Sequence, residues 1–455
     1  MTAKRTVIII LYVVAMFMVS IDGTIVNVLL PTIALELGVV PGETNGINVG
    51  YLVSIAVALP AAGYLSNRFG VKKIYVLAVS LFTFASLLCG LAQSLQGLIL
   101  ARVLQGLAGG LITPVSMTLL FRTFSPPERQ QLSRSLVLPI AFAPAIGPLV
   151  GGVFSEYWSW HWAFFINVPL GIAIVLLAIF ALSEFEVFKA PFDWKGYGLI
   201  ALGLPLVMLT FSLLATEGIS SRVVACGVIG GILIGLFYLW ELKEKEPLLD
   251  VRLYAEPVFR TSSLVAMCSM GALMGMLYLF PLMYQYAYSA SPLESSLITF
   301  TEALGLMVAS RMLPKTANKF GMPNTIRMGL VGTIVIFLGI AMLGPSADPW
   351  LLRILMFAVG VFLGHSVVGS QITAFHHIDK GQMSKATTMY NMLNRVGAAF
   401  GIAAVATCLT IAEQSAPGTL PYQYALLATI FLLLTGLGCS FWKSEERPLL
   451  KGEKA

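Results

Sequence analysis

The sequence contains few charged residues. Asp, Glu, Lys and Arg make up 11% of its 455 residues, against about 25% in ordinary soluble domains. A large soluble core would need helices with one polar face, and most of the apolar segments in this chain have none. The composition therefore excludes a soluble globular protein.

Cysteine and histidine are also scarce, with five and four residues. The cysteines share no metal-ligand spacing and lie inside apolar runs, which argues against a disulfide framework or a zinc site. A membrane-embedded enzyme would need a nucleophile beside a base, or a cluster of metal ligands. The one candidate, His376-His377-Ile378-Asp379, has no wider ligand set. We therefore expect neither enzymatic activity nor a bound metal or other cofactor.

Long apolar runs dominate the chain instead. Hydrophobic residues make up 57% of it, and its mean hydropathy is +0.86. A hydrocarbon core about 30 Å thick is crossed by a helix of about 20 apolar residues. Fourteen segments meet that length, which predicts an all-α polytopic membrane protein with fourteen transmembrane helices. These segments, called spans 1 to 14, are 7–30, 47–66, 74–93, 97–120, 135–154, 163–183, 196–215, 223–240, 260–284, 295–313, 325–343, 350–373, 386–411 and 422–441.

The basic residues follow the predicted topology. A net charge of +6 would suit a nucleic-acid partner, but most of the 28 Lys and Arg lie at the termini or in every second loop. That alternation is the positive-inside rule, so we expect both termini to be cytoplasmic and no nucleic acid to bind. Span 1 is too long for a cleavable signal and contains Asp22. The protein is therefore expected to be integral to the cell membrane.

Two short matches at one offset indicate an internal repeat. Ser66-Asn67-Arg68-Phe69-Gly70 matches Ala317-Asn318-Lys319-Phe320-Gly321 at an offset of 251, which also carries Arg102 onto Arg353. We predict six-helix bundles at 1–183 and 260–455, with 184–259 as a linker that holds two additional spans. Duplicated halves with a site between them are a transporter architecture.

A few charged side chains lie inside spans, where an unpaired charge is costly and marks function by default. The candidate proton-coupling residues are Asp22, Arg102, Glu302 and His365. Desolvation favours the neutral acid, so Asp22 and Glu302 can bind and release protons, while Arg102 competes with the proton for a nearby carboxylate. Three alternatives remain open. Asp22 could be a structural carboxylate bonded to its own helix or to Asn27, Arg311 or a polar neighbour could neutralise Glu302, and His365 could be a hydrogen-bonded packing residue.

Span 9 is rich in methionine and aromatic side chains, which form adaptable apolar surfaces. Such a stripe is often only packing, but it also suits a binding site for variable ligands. With acids nearby, lipophilic cations are one expected substrate class, although zwitterions and weak acids would suit the same pocket. The candidate substrate-binding residues are Asn27, Tyr51, Met274, Tyr278, Tyr284 and Gln285.

Two glycine-rich motifs could control conformational change. The loop motif Gly63–Lys73 can pair with different groups in different states, or it can simply anchor the loop by its positive charge. The prolines and glycines of span 5 make a helix that can bend, or one with a bare face for packing. The candidate conformational residues are Gly63, Asn67, Arg68, Gly70, Pro144, Gly147, Pro148, Gly151 and Gly152.

Together these motifs resemble those of the major facilitator superfamily, and specifically its fourteen-span drug:proton antiporter family. Gly63–Lys73 is similar to the superfamily loop signature, Arg102–Gly110 to that of span 4, and Gly147–Gly152 to the antiporter signature of span 5. Asp22–Pro31, Trp160–Pro169 and Phe192–Gly196 resemble segments typical of the fourteen-span branch. The resemblance implies two six-helix bundles plus two inserted helices.

The chain departs from the family pattern at several positions. Asn67 and Val71 stand where the loop signature usually has Asp and Arg, which puts in doubt a charge relay that holds the two halves together. His161 stands where the family usually has Arg, and Ala141 where it usually has Gly.

The resemblance implies a proton-coupled antiporter that exports amphipathic or lipophilic compounds, cations among them, by alternating access. Its partners would be a small-molecule substrate, protons and the lipid bilayer. It would be a monomer with no cofactor beyond the proton gradient. Two alternatives remain: a same-fold exporter of a specific metabolite, siderophore or lipid, and a non-transporting membrane sensor or scaffold.

Overall fold

Helices form nearly all of the structure. The computed structural model describes residues 3–124, 126–185, 187, 191–343, 347–379, 382–413 and 418–441, and this part of the chain contains no strand. The helices are α1 Ala3–Leu37, α2 Asn45–Ala58, α3 Ala61–Phe69, α4 Val71–Gly90, α5 Leu95–Thr123, α6 Pro126–Tyr157, α7 Trp162–Phe165, α8 Asn167–Ala181, α9 Trp194–Glu217, α10 Ser221–Lys243, α11 Pro257–Ala287, α12 Pro292–Phe320, α13 Met322–Met342, α14 Pro349–Ala374, α15 Met383–Glu413 and α16 Leu420–Ser440.

Most of these helices are long and apolar enough to cross a membrane. Twelve such spans occur in the described chain, and α2 with α3 makes a thirteenth if this pair, bent by 53°, is one span. Span 5 falls in α6, where the side chains of residues 129–142 lie outside the described part, and α6 is not among the twelve. The protein is an integral membrane protein.

Local signals in the sequence set where the helices begin. Ser94 and Ser220 accept hydrogen bonds from the backbone N–H groups of Gly97 and Val223, as N-caps do. Ser291 and Glu294 form a capping box at the start of α12. Proline occupies the first turn of α11 to α14 and of α16, where its missing N–H costs nothing. These signals divide an almost continuous apolar sequence into separate helices.

The repeat is visible in the backbone of the two matching loops. Gly70 ends α3 with φ +101° and Gly321 ends α12 with φ +81°. Each glycine N–H donates to the carbonyl four residues earlier, Ser66 or Ala317. Each glycine carbonyl accepts from the residue four positions later, in the first turn of the next helix. Only glycine adopts this conformation without strain, which explains why both loops contain it.

The helices of the two halves pair in the same way. In the first half α1 packs on α5, α6 and α8, α5 packs on α2 and α4, and α4 packs on α8. In the second half α11 packs on α14, α15 and α16, α14 packs on α12 and α13, and α13 packs on α16. Between the halves α6 meets α12, α2 meets α15, and α1 meets α11. Helices α9 and α10 pack on each other, and α9 lies against α2 and α15.

We predict that alanine at the two loop glycines destabilises the protein to different extents. Gly321→Ala adds only backbone strain, about 1 kcal/mol, since an added Cβ would have open space. Gly70→Ala adds the same strain and a clash with the carboxylate of Glu184. Its melting temperature in detergent should therefore be the lower of the two.

Gly63→Ala is the control, because Gly63 lies inside a helix in open space without a positive φ. This change should leave the melting temperature equal or slightly higher. Equal melting temperatures for Gly70→Ala and Gly63→Ala would contradict the assignment of strain to the loop.

Candidate functional site

A buried ion pair lies at the centre of the first half. Asp22 of α1 and Arg102 of α5 are both 0% exposed. Arg102 Nη1 lies 2.5 Å from Asp22 Oδ2. The guanidinium also sits 3.9 Å from the ring centroid of Tyr51 in α2, a cation–π contact. Three helices of the first bundle therefore meet at this one charge pair.

Two amides complete the surroundings of Asp22. Gln105 Nε2 and Asn167 Nδ2 donate to Asp22 Oδ1 at 2.9 and 3.1 Å. Gln105 also accepts from Arg102 Nη1 at 2.6 Å. The carboxylate thus accepts three hydrogen bonds, which stabilise its ionised form. This geometry favours the structural reading of Asp22, with partners on α5 and α8 instead of its own helix or Asn27.

The carboxyl group of Glu302 in α12 has no such partners. Glu302 is 1% exposed, and neither of its oxygens has a hydrogen-bond partner within the described chain. Arg311, which the sequence offered as a neutralising cation, is exposed. An unpaired carboxylate in such a site is strongly disfavoured, whereas the neutral acid is tolerated. This environment therefore favours the neutral acid over the carboxylate in this conformation.

The glycines where helices cross show which residue of the second half corresponds to Arg102. An added Cβ at Gly106 or Gly110 of α5 would meet the carbonyls of Tyr51 and Ile55. An added Cβ at Gly360 of α14 would meet the carbonyl of Glu302, and one at Gly364 would meet Leu306.

The offset is therefore 251 between α2 and α12, which aligns Tyr51 with Glu302, but 254 between α5 and α14. This three-residue slip replaces Arg102 by Met356, which is fully buried. Arg353, which the sequence repeat aligned with Arg102, instead stacks on Trp350 at the start of α14, 4.6 Å from its ring.

His365 is a hydrogen-bonded residue of α14. Its Nδ1 lies 2.7 Å from the carbonyl of Val361, to which it can only donate, and its Nε2 lies 3.2 Å from Thr316 Oγ1. Both ring nitrogens therefore have protein partners. This geometry favours the packing reading of His365 over a role in proton transfer.

Two of the residues considered for substrate binding, Gln285 and Tyr278, join the two halves in this structure. From α11, Gln285 Nε2 donates to the carbonyl of Val28 at 3.0 Å and Tyr278 OH to that of Pro41 at 3.3 Å. Tyr286 OH donates to Pro31 at 3.1 Å. The three carbonyls lie in the C-terminal part of α1, which ends at Leu37, or in the loop that follows it. We call this region the Leu37 end. The halves are in contact there.

The other substrate candidates lie in separate places. Asn27 accepts a hydrogen bond from Asn48 at 2.8 Å inside the first half, and Tyr51 donates to the carbonyl of Val19 at 3.3 Å. Tyr284 is buried and stacks on Phe280. Met274 is partly buried against the core. Each of these four side chains therefore has contacts of its own within the described structure.

The glycine motif of span 5 is used for helix packing. An added Cβ at Gly147 would meet Thr24 of α1, one at Gly151 would meet the carbonyl of Ile25, and one at Gly152 would meet Ser296 of α12. The first two therefore join α6 to α1, and the third joins the halves. Pro144 is exposed and Pro148 buried, and α6 continues as one helix through both.

The loop motif finds its acid elsewhere in the chain. Glu184 accepts hydrogen bonds from the backbone N–H groups of Lys72 and Lys73 at 3.0 and 3.2 Å, beside Gly70. It thereby caps the N-terminus of α4, where negative charge is favoured. Asn67 accepts from Arg122 at 3.0 Å, while Gly63 and Arg68 are exposed. Glu184, more than a hundred residues away, supplies the carboxylate that Asn67 does not.

Arg395 of α15 was overlooked in the sequence because it sits in a long apolar segment near basic loops. It lies within electrostatic reach of Tyr51, on the opposite half. A count of every basic residue inside the predicted spans would have found it.

Comparisons with known proteins agree with this architecture. Residues 12–402 match the model of the Major Facilitator Superfamily. A Cronobacter sakazakii protein named "Putative multidrug resistance protein MdtD" is 32% identical over 353 residues, 76% of this chain and 74% of its own. The Salmonella newport protein of that name is 33% identical over 334 residues, 72% of this chain and 71% of its own.

Solved structures share the fold at low sequence identity. An auto-inhibited POT family peptide transporter superposes with a TM-score of 0.70 at 14% identity, covering 96% of this chain and 95% of its own. A bacterial homologue of the lysosomal transporter Spinster, in an inward-facing and unoccupied conformation, gives 0.67 at 14% identity and 97% of both chains.

We predict that the Asp22–Arg102 pair is more sensitive to loss of one partner than of both. Asp22→Asn or Arg102→Met should each destabilise the folded protein by about 3 kcal/mol or more, because a buried charge is left unpaired. The double variant should recover part of that loss. Thermal unfolding with size-exclusion chromatography in detergent measures this. A double variant less stable than either single variant would contradict it.

Proposed function

The chain belongs to the Major Facilitator Superfamily, and we propose that it is a proton-coupled antiporter that exports amphipathic compounds by alternating access. The observation that carries the proposal is Glu302, a carboxyl group buried in a membrane helix without a hydrogen-bond partner or counter-cation among the described residues. An ionisable group inside a membrane span marks a pathway for ions, protons or substrates. A carrier that binds a proton in one state and releases it in another requires such a group.

The proposed membrane arrangement has fourteen spans. The α2–α3 pair counts as one bent span, and α6, which is 32 residues long, supplies the span beyond the thirteen. Both termini then lie in the cytoplasm of a cell membrane, as the distribution of basic loops favours. The six-helix bundles run to residue 183 and from residue 260, with α9 and α10 as the insertion. The Leu37 end is then extracellular.

The conformation supports a state that is closed to the outside. At the Leu37 end Tyr278, Gln285 and Tyr286 hold the halves together through backbone carbonyls. Gly42 of the first half also lies against Thr410 of α15. Alternating access requires these contacts to break when the site opens outward. The three hydrogen bonds join neutral groups, so breaking them separates no buried charge.

In the proposed cycle Asp22 and Glu302 have different tasks. Asp22 stays ionised and holds α1, α5 and α8 together through Arg102, Gln105 and Asn167. Glu302 carries the proton, since it has no competing cation and becomes ionised only when water reaches it. Protons entering on Glu302 would drive substrate out. The multidrug designation of the relatives supports a range of amphipathic substrates over a single one.

We predict that Glu302→Gln abolishes proton coupling. In proteoliposomes with an internal pH-sensitive dye, wild type should show a pH change when ethidium or fluorescein is added. Glu302→Gln should show none, because the amide imitates a permanently protonated acid. The variant should still exchange labelled for unlabelled substrate, since exchange needs no deprotonation.

Glu217→Gln is the matched control, because Glu217 is exposed at the end of α9 and its loss should leave coupling intact. Coupling that survives in Glu302→Gln would overturn the assignment of the proton site. A wild type that moves neither dye nor protons with any amphipathic compound would overturn the proposed function itself.

We predict that cysteines at Gly42 and Thr410 lock the protein closed at the Leu37 end. A Cβ at Gly42 would lie 3.4 Å from that of Thr410, near the spacing of about 3.8 Å found in disulfides. In a background without the native cysteines, oxidation should stop transport and reduction should restore it. Each single-cysteine variant serves as a control. Full transport with the disulfide formed would contradict alternating access at this contact.

A further inference from the structure

Arg395 is a second charged residue inside a membrane helix, half-buried and without a protein partner in the described chain. It lies near the midpoint of α15, about 18 Å from the start of that helix at 1.5 Å per residue. Within the described chain it makes no hydrogen bond or ion pair. A guanidinium cannot lose its proton to escape this cost, so a charge at this depth requires compensation.

The packing of α15 shows which way Arg395 faces. Phe400 and Thr407 contact Phe211 of α9, while Gly397 and Gly401 lie against α11. These contacts occupy two sides of the helix.

Thr410 lies against Gly42 of the first half. At about 100° per residue, Arg395 projects only about 60° from Thr410 and well over 100° from Phe400 and Gly397. It therefore faces the first half, where Tyr51 is within electrostatic reach.

The membrane carboxyl groups are not the partners of Arg395. Asp22 is occupied by Arg102, Gln105 and Asn167, and Glu302 makes no hydrogen bond. Next to Arg395 in the chain, the side-chain oxygen of Asn394 is buried without a hydrogen-bond partner. The interface between the halves thus presents an unused cation at the depth where substrates bind in this architecture.

We propose that Arg395 is an anion-binding group between the halves, and that the exported compounds carry a carboxylate, phosphate or sulfonate group. The inference rests on the proposed transport function and names its substrate class. It replaces the lipophilic cations that the sequence favoured, because the acids inside the membrane are either paired or neutral. The acidic group would pair with the guanidinium, whose planar fork of donors suits such anions.

The test uses two probes that differ in one ionised group, 1-naphthaleneacetate and 1-naphthaleneacetamide. Binding of each to the purified full-length protein is measured in phosphatidylcholine nanodiscs. Wild type should bind the acid at least about tenfold more tightly than the amide, which corresponds to about 1.4 kcal/mol. Arg395→Gln should bring the ratio close to one while leaving amide binding unchanged, which also shows that the variant is folded.

Two further variants define the role of the charge. Arg395→Lys should keep most of the preference for the acid, because it retains the positive charge. Arg353→Gln should behave as wild type, since Arg353 stacks on Trp350 at the start of α14. A wild type without a preference, or equal losses of acid and amide binding in Arg395→Gln, would overturn the proposal.

Nanodiscs that contain phosphatidylglycerol distinguish a soluble acid from a lipid headgroup. Competition by this lipid in wild type, and none in Arg395→Gln, would place a lipid phosphate at Arg395. Unchanged acid binding would assign the site to soluble substrates. Both results support anion binding. Because the assay measures binding alone, its failure is distinct from a failure of proton coupling, which the proteoliposome assay with Glu302→Gln reports.

Discussion

The cost of an unpaired charge in hydrocarbon governs this structure. In the first half Asp22 and Arg102 neutralise each other, and Gln105 and Asn167 donate hydrogen bonds to the remaining carboxylate oxygen. In the second half Glu302 has no counter-cation among the described residues, and its environment favours the neutral acid. Arg395 cannot become neutral at all. The difference between a compensated half and an uncompensated half underlies the division of labour that we propose, in which one half is held rigid and the other exchanges protons and ligands.

Close helix packing keeps the two halves alike despite this difference in charge. Gly106 and Gly110 bring α5 against the backbone of α2, and Gly360 and Gly364 bring α14 against α12. Small residues at such crossings allow backbones to approach in membranes, where the hydrophobic effect between helices is absent. The helix packing is therefore duplicated, while the buried charged residues differ between the halves. Function in this chain is carried by a few side chains placed on two nearly equivalent frames.

Much of the fold could be predicted from the sequence because local rules determine it. Apolar length located the helices, and the matching loops at Gly70 and Gly321 indicated the repeat. The site was less predictable, because its contacts join distant segments. Glu184 takes the place of the acid missing at position 67, the slip of α14 puts Met356 where Arg353 was expected, and Gln285 joins the halves. Asp22 and Glu302 were both recognisable as buried acids, but only the structure shows that one is paired and the other is not.

The slip of α14 also has an electrical consequence. In the first half the charges of Asp22 and Arg102 cancel, so the transmembrane voltage exerts no net force on that pair. In the second half the sum of the charges on Glu302 and Arg395 changes by one whenever Glu302 takes up or releases its proton. A voltage of 100 mV acts on such a charge with up to about 2.3 kcal/mol. If Glu302 carries the proton as we propose, a nearly symmetric scaffold responds asymmetrically to the membrane potential.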